Sequence, residues 1–117
     1  MPGSSDHGGN VVRIEFPFTD GRGSKRRPAL VLPASSDDDI VLARITGRAS
    51  VSASDVEIGD LKSAGLVIPS WVRLHKVVTL ERTLASDRLG TLGASDQQRV
   101  ALLLRTLCVG LAASLLI

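Results

Sequence analysis

Apolar residues in this chain arrive in short runs, each cut off by proline, glycine or aspartate, until one long apolar stretch closes the sequence. Brief runs between breakers fit strands and turns, whereas a helix needs periodicity over about ten residues or more. Residues 11–16 (VVRIEF) alternate, with Ile14 and Phe16 on one face and Arg13 and Glu15 on the other; Pro17 marks an end or an edge. Residues 29–32 (ALVL) sit between Pro28 and Pro33 and read as a strand buried on both faces. Residues 40–46 (IVLARIT) form the next strand, after a turn through Asp37, Asp38 and Asp39. A short strand is expected at residues 55–58 and a loop at residues 59–65. A longer strand follows at residues 71–80, with Trp71, Arg73 and His75 on one face and Val72 and Leu74 on the other.

The closing stretch has a helical period. Ser95 and Gln98 have the spacing of a capping box, and Val100, Leu103, Leu104, Leu107 and Leu111 follow along one helical stripe. The expected fold is therefore mainly β with a C-terminal α-helix: a small, strongly curved, mostly antiparallel sheet or barrel. A chain of 117 residues accommodates one domain, here residues 10–117, behind a leader (1–9) that buries nothing to offset its ordering entropy and is expected to be disordered. Residues 100–117 are almost wholly apolar but are broken by Arg105. Spanning a bilayer takes about 20 apolar residues in a row, so a helix packed on the barrel or across a dimer interface, no membrane and a cytoplasmic location are expected. Cys108 on that helix reads as a small buried hydrophobe.

Composition narrows the chemistry. A single cysteine excludes an internal disulfide, and no His/Cys cluster has zinc-ligand spacing. Aromatic residues make up only 3%, too few for an extended base-stacking sheet, and a net charge of +2 leaves room only for a local basic patch. That patch lies at residues 20–28 (DGRGSKRRP), where glycines allow close backbone approach and Arg22, Lys25, Arg26 and Arg27 supply positive field. Guanidinium groups hold two phosphate oxygens in a plane, so the loop suits phosphate; a solvated, charged hairpin loop is the other reading. It lacks the ending of a Walker A loop.

Arg27 precedes Pro28, which biases it towards extended backbone at the mouth of a buried strand. It is either a preorganised cation for a scissile phosphate or an arginine snorkelling at a strand end. Thr46 closes the strand at residues 40–46 beside Arg44 and Arg48, and its hydroxyl either donates to a phosphate or caps the turn. Arg73 and His75 leave one strand face together, a workable pair for phosphodiester cleavage or simply two polar surface residues. His7 in the leader is expected to be inert, and Trp71 to serve core or interface.

The run at residues 16–32 (FPFTDGRGSKRRPALVL) closely resembles the opening of PemK/MazF-family toxins of type II toxin–antitoxin systems. Residues 39–46 and 70–80 resemble later strands of the same family, and Leu89-Gly90-Thr91-Leu92 followed by a helix completes the order. The resemblance spans roughly residues 9–108 and implies an SH3-like barrel. It further implies a homodimer that cuts single-stranded RNA without metal or other cofactor, held in check by a cognate antitoxin. By that resemblance Arg27, Thr46, Arg73 and His75 are the catalytic positions. Thr19, Arg22, Ser24, Lys25, Arg26 and Arg48 would track the RNA. The chain departs from the pattern at one telling place: an acidic residue is expected at position 75, where His75 stands. Gyrase-poisoning toxins share this fold and do no chemistry of their own, and a weakened RNA-binding homologue is the other alternative. The enzyme reading requires Arg27 and Thr46 to converge on one phosphate.

Overall fold

The first two apolar runs pair with each other. In the computed structural model, which describes residues 8–17, 24–32, 39–48, 52–85 and 87–116, β1 (Asn10–Pro17) lies antiparallel to β2 (Ser24–Val31). Their register runs from Val11 opposite Leu30 to Pro17 opposite Ser24. Strand β2 thus starts earlier than its composition suggests: Ser24, Lys25, Arg26 and Arg27, expected in a loop, are strand residues because β1 offers ladder partners that far out. Pro28, expected as a boundary, sits inside β2. The ladder to the next strand begins only at Ala29, so one flank of Pro28 is unpaired, the edge-like setting that proline tolerates.

Strand β3 (Asp39–Thr46) pairs with β2 and with β5 (Trp71–Glu81), and β5 in turn carries β4 (Asp55–Glu57). Strand β6 (Arg88–Thr91) pairs with β1, giving one six-stranded antiparallel sheet in the order β4-β5-β3-β2-β1-β6. The architecture is the expected one, a mainly β, curled SH3-like barrel with a C-terminal helix. The expected loop at residues 59–65 contains a helical turn, α1 (Leu61–Ala64), capped by the Asp60 carboxylate accepting from the Ser63 amide. Gly65 after α1 has φ 75°, and a side chain there would strike the Leu89 carbonyl. Gly90 faces the Ser63 carbonyl just as closely, so two glycines let α1 close against the β6 edge.

Alternation along the strands feeds two cores. Val11, Leu30, Ala43, Ile45, Val56, Val72 and Leu74 fill one face, joined by Leu92 and Val100; Val12, Ile14, Ala29, Val31, Ile40 and Leu42 fill the other with Ala85. Ala85 ends a 3₁₀ turn (Arg82–Ala85) that links β5 to β6. Opposite faces of one sheet are thus both partly buried, which explains the near-continuous apolar run at residues 29–32.

Helix α2 (Ala94–Leu115) starts upstream of the expected capping box. Its N-cap is Gly93, which offers no side-chain bond, and Ser95 lies inside the first turn. The anchoring is done instead by Asp96, whose side chain is 3% exposed. Its Oδ1 and Oδ2 accept from the Gly59 and Asp60 amides, both at 2.9 Å, and it pairs with Arg99. Burial pushes the Asp96 carboxyl up, but the Asp60 and Gly59 hydrogen bonds and Arg99 outweigh this and leave it below the ordinary carboxylate value.

Val100, Leu103, Leu104 and Leu107 pack on the sheet as their spacing implies. Beyond them the tail does not pack on the barrel of its own chain. Leu111, Leu115 and Leu116 are 67%, 84% and 86% exposed, and Cys108, expected to be buried, is exposed as well. The last helical residues packed against the core are Leu103, Leu104 and Leu107. By length and composition alone, α2 is long and apolar enough to cross a membrane. Residues 1–7 of the expected leader, with His7, lie outside the described residues. Gly9 is tied in: it donates to the Val31 carbonyl and accepts from the Leu92 amide, both at 2.8 Å.

Candidate functional site

Ladder register decides which polar side chains can meet. Ala29 lies opposite Arg44, and Arg27 and Thr46, two residues on along their strands, share the face of that pair. Thr46 is opposite Trp71, Arg44 is opposite Arg73, and Arg73 is opposite Asp55 on its other side. Strands β2, β3, β5 and β4 therefore place Arg27, Thr46, Arg44, Arg73 and Asp55 on one face of the sheet. The two residues required to converge are not on opposite sides of the molecule.

The expected residues that fall within the described segments can be located. Arg27 is half-buried opposite Ile14 and forms no ion pair among the described residues. Thr46 Oγ1 accepts from the Arg48 amide at 3.2 Å, so the hydroxyl holds the turn. Because it acts there as acceptor, its O–H remains able to donate. Lys25 is exposed on the Arg27 face, and Arg48 is exposed in the turn after β3. Arg26 points the other way, as strand alternation demands, and is paired with Asp87 at 2.9 Å near Arg13. Ser24 opens β2; Thr19 and Arg22 lie outside the described residues.

Arg73 and His75 do meet. Arg73 Nη2 is 3.4 Å from His75 Nε2, although β5 is irregular between them. Ala43 pairs with Val77 while Arg44 pairs with Arg73, so residues 74–76 bulge out of the ladder. The bulge turns His75 outwards, 38% exposed, and shifts the phase of the strand, so that Val78 and Leu80 take over the core face.

Sequence reasoning missed Asp55. Its side chain is 1% exposed, with Oδ1 lying 3.6 Å from Arg73 Nε and 3.9 Å from His75 Nδ1. The alternation Asp55-Val56-Glu57-Ile58 already turns Asp55 away from the Val56 core, but only register shows what it faces. Two arginines directly opposite one another repel, and Asp55 beside Arg73 offsets that repulsion. Among the described residues, no group of three or more His, Cys, Asp or Glu is placed to hold a metal ion.

Comparison with known proteins finds a matching family and solved structures of similar fold. The family model of the PemK-like, MazF-like toxins of type II toxin–antitoxin systems matches residues 7–108. Among solved structures, the chain is similar to a MazE–MazF complex from Deinococcus radiodurans, at 23% identity over 87% of this chain and 94% of that one, with a TM-score of 0.68. It is also similar to an endoribonuclease in complex with its cognate antitoxin from a mycobacterial species, at 22% identity over 86% and 91% of the two chains, TM-score 0.68. The Mycobacterium tuberculosis toxin MazF-mt6 is similar at 22% identity over 81% and 91%, TM-score 0.66. No curated protein sequence matches significantly.

Proposed function

Since this chain belongs to the PemK-like, MazF-like toxin family of type II toxin–antitoxin systems, we propose that it is a metal-independent, sequence-selective endoribonuclease acting on single-stranded RNA in the cytoplasm. The observation that carries this reading is the common sheet face of Arg27, Thr46 and Arg73, with His75 beside Arg73. In the proposed reaction the 2′-oxygen of the substrate bonds to the adjacent phosphorus as the bond to the 5′-oxygen breaks. The 2′-hydroxyl loses its proton and the leaving oxygen gains one, giving a 2′,3′-cyclic phosphate and a 5′-OH end. Arg27 and Arg73 stabilise charge on the phosphoryl oxygens, Thr46 donates a hydrogen bond, and His75 carries a proton as acid or base. Lys25 and Arg48, with Thr19, Arg22 and Ser24, track the RNA backbone, so affinity should fall as salt rises.

Two partners complete the proposal. An acidic, initially disordered antitoxin tail competes for the basic face. A second copy covers the exposed apolar end of α2, and light scattering at the mass of one chain would remove that homodimer.

Incubating the protein with mixed single-stranded RNA in EDTA, then sequencing the 5′-OH ends, tests the reading. Cuts at a restricted set of sequences are expected. Arg27→Ala should slow them by about 10²–10³-fold, and Arg26→Ala, on the opposite face, by far less. RNA retention without new ends would mean a binding homologue. Inhibition of gyrase with intact RNA would mean a topoisomerase poison.

A further inference from the structure

The resemblance to PemK/MazF toxins leaves position 75 without its carboxylate, yet a carboxylate lies beside His75. We propose that Asp55, delivered from β4, replaces that missing acid as a positioning residue that fixes the tautomer of His75 and the orientation of Arg73. This deepens the nuclease reading and rests on it.

Three observations converge. The first is burial without satisfaction: the Asp55 side chain is 1% exposed, and neither carboxylate oxygen has a hydrogen-bond partner among the described residues. Buried polar atoms are nearly always bonded, so a carboxylate held this way is tolerated only for its cations or for a role. The second is direction. Oδ1 faces both Arg73 Nε, at 3.6 Å, and His75 Nδ1, at 3.9 Å. A guanidinium can only donate, so His75 Nε2, 3.4 Å from Arg73 Nη2, is the acceptor of that contact. A neutral His75 then carries its proton on Nδ1, on the side of Asp55, and keeps its Nε2 lone pair towards the phosphate-binding arginines. A carboxylate behind one imidazole nitrogen selects the tautomer that keeps the lone pair on the other nitrogen, here shared with Arg73 and open to a proton once substrate phosphate engages that guanidinium.

The third observation is the frame. The Asp55 amide donates to the Ser52 carbonyl at 3.2 Å, and the Ser54 amide to Ser52 Oγ at 3.1 Å. The Leu74 amide donates to the Ser54 carbonyl at 2.9 Å. The bond from Leu74 to Ser54 therefore joins the neighbour of His75 to the neighbour of Asp55 and sets the two side chains abreast. The contacts to Asp55 are longer than hydrogen bonds, as catalytic contacts commonly are before substrate closes them.

Two measurements test this on the full-length protein. Long-range ¹H–¹⁵N spectra of the His75 ring should show the Nδ1–H form, and Asp55→Asn should shift the population towards Nε2–H. Single-turnover cleavage should fall roughly 10–100-fold in Asp55→Asn, recover partly in Asp55→Glu, and fall less than about twofold further when Asp55→Asn is added to His75→Ala. An unchanged tautomer in Asp55→Asn, or losses that simply multiply in the double variant, would overturn the assignment and leave Asp55 as a counter-charge for Arg73. If the natural protein cuts no RNA at all, the nuclease reading fails on its own account. The ring spectra then still decide whether Asp55 governs His75.

Discussion

Asp55 and Asp96 are both buried carboxylates, 1% and 3% exposed, and they anchor opposite ends of the same short stretch of chain. Their surroundings differ sharply. Asp96 is satisfied: two backbone amides from residues 59 and 60 and the Arg99 guanidinium engage both of its oxygens, and it clamps the segment after β4 onto α2. Asp55 has no hydrogen bond among the described residues and looks towards Arg73 and His75 at ion-pair distances. A satisfied buried charge holds a fold together. An unsatisfied one beside exposed cationic and imidazole groups is better suited to work on a ligand.

Substitutions should separate the two roles, most clearly in stability. Asp96→Ala orphans the Gly59 and Asp60 amides and should cost about 2–4 kcal/mol in urea unfolding; a loss under about 1 kcal/mol would mean that water replaces the carboxylate without penalty. The acid limb of stability comes next. Because the folded Asp96 carboxyl lies below its ordinary value, its stabilisation is complete above the unfolded carboxylate pKa of about 3.9 and is lost as pH falls through the lowered folded value. Asp96→Asn should flatten that part of the stability–pH curve, and an unchanged curve would assign the limb to other carboxylates. Smallest of all should be Asp55→Asn, which keeps the side-chain shape, breaks no hydrogen bond and gives up only the cross-strand charge pair with Arg73, so it should move stability by less than about 1 kcal/mol while slowing cleavage. A large loss of stability there would erase the contrast between the two aspartates.

Much of the architecture was legible beforehand because local pattern and packing agree. The alternation at Val72, Arg73 and Leu74 matches the observed burial, and Val100, Leu103, Leu104 and Leu107 pack on the sheet as their spacing implies. The errors fall where a distant partner outweighed a local signal. Ser95 and Gln98 have capping-box spacing, yet the helix starts earlier and Asp96 does the anchoring across to residues 59 and 60. Pro28 sets Arg27 apart within the basic run, but only pairing with β1 shows that Arg26 turns to the opposite face, where it meets Asp87. The stripe on α2 continues to Leu111, yet within one chain the packing on the core stops at Leu107 and Leu111 is exposed.

Unaided, the amino-acid sequence determined the strand-rich class, the terminal helix and the residue types that suit a phosphate, because side-chain period, breaker residues and charge are local properties of the chain. Tertiary structure alone decided that Arg27, Thr46 and Arg73 share a face, that three residues bulge to present His75, and that Asp55 stands behind it. Those are matters of register between segments far apart in the chain. A slip of one residue in any pairing would turn the same side chains to the other face.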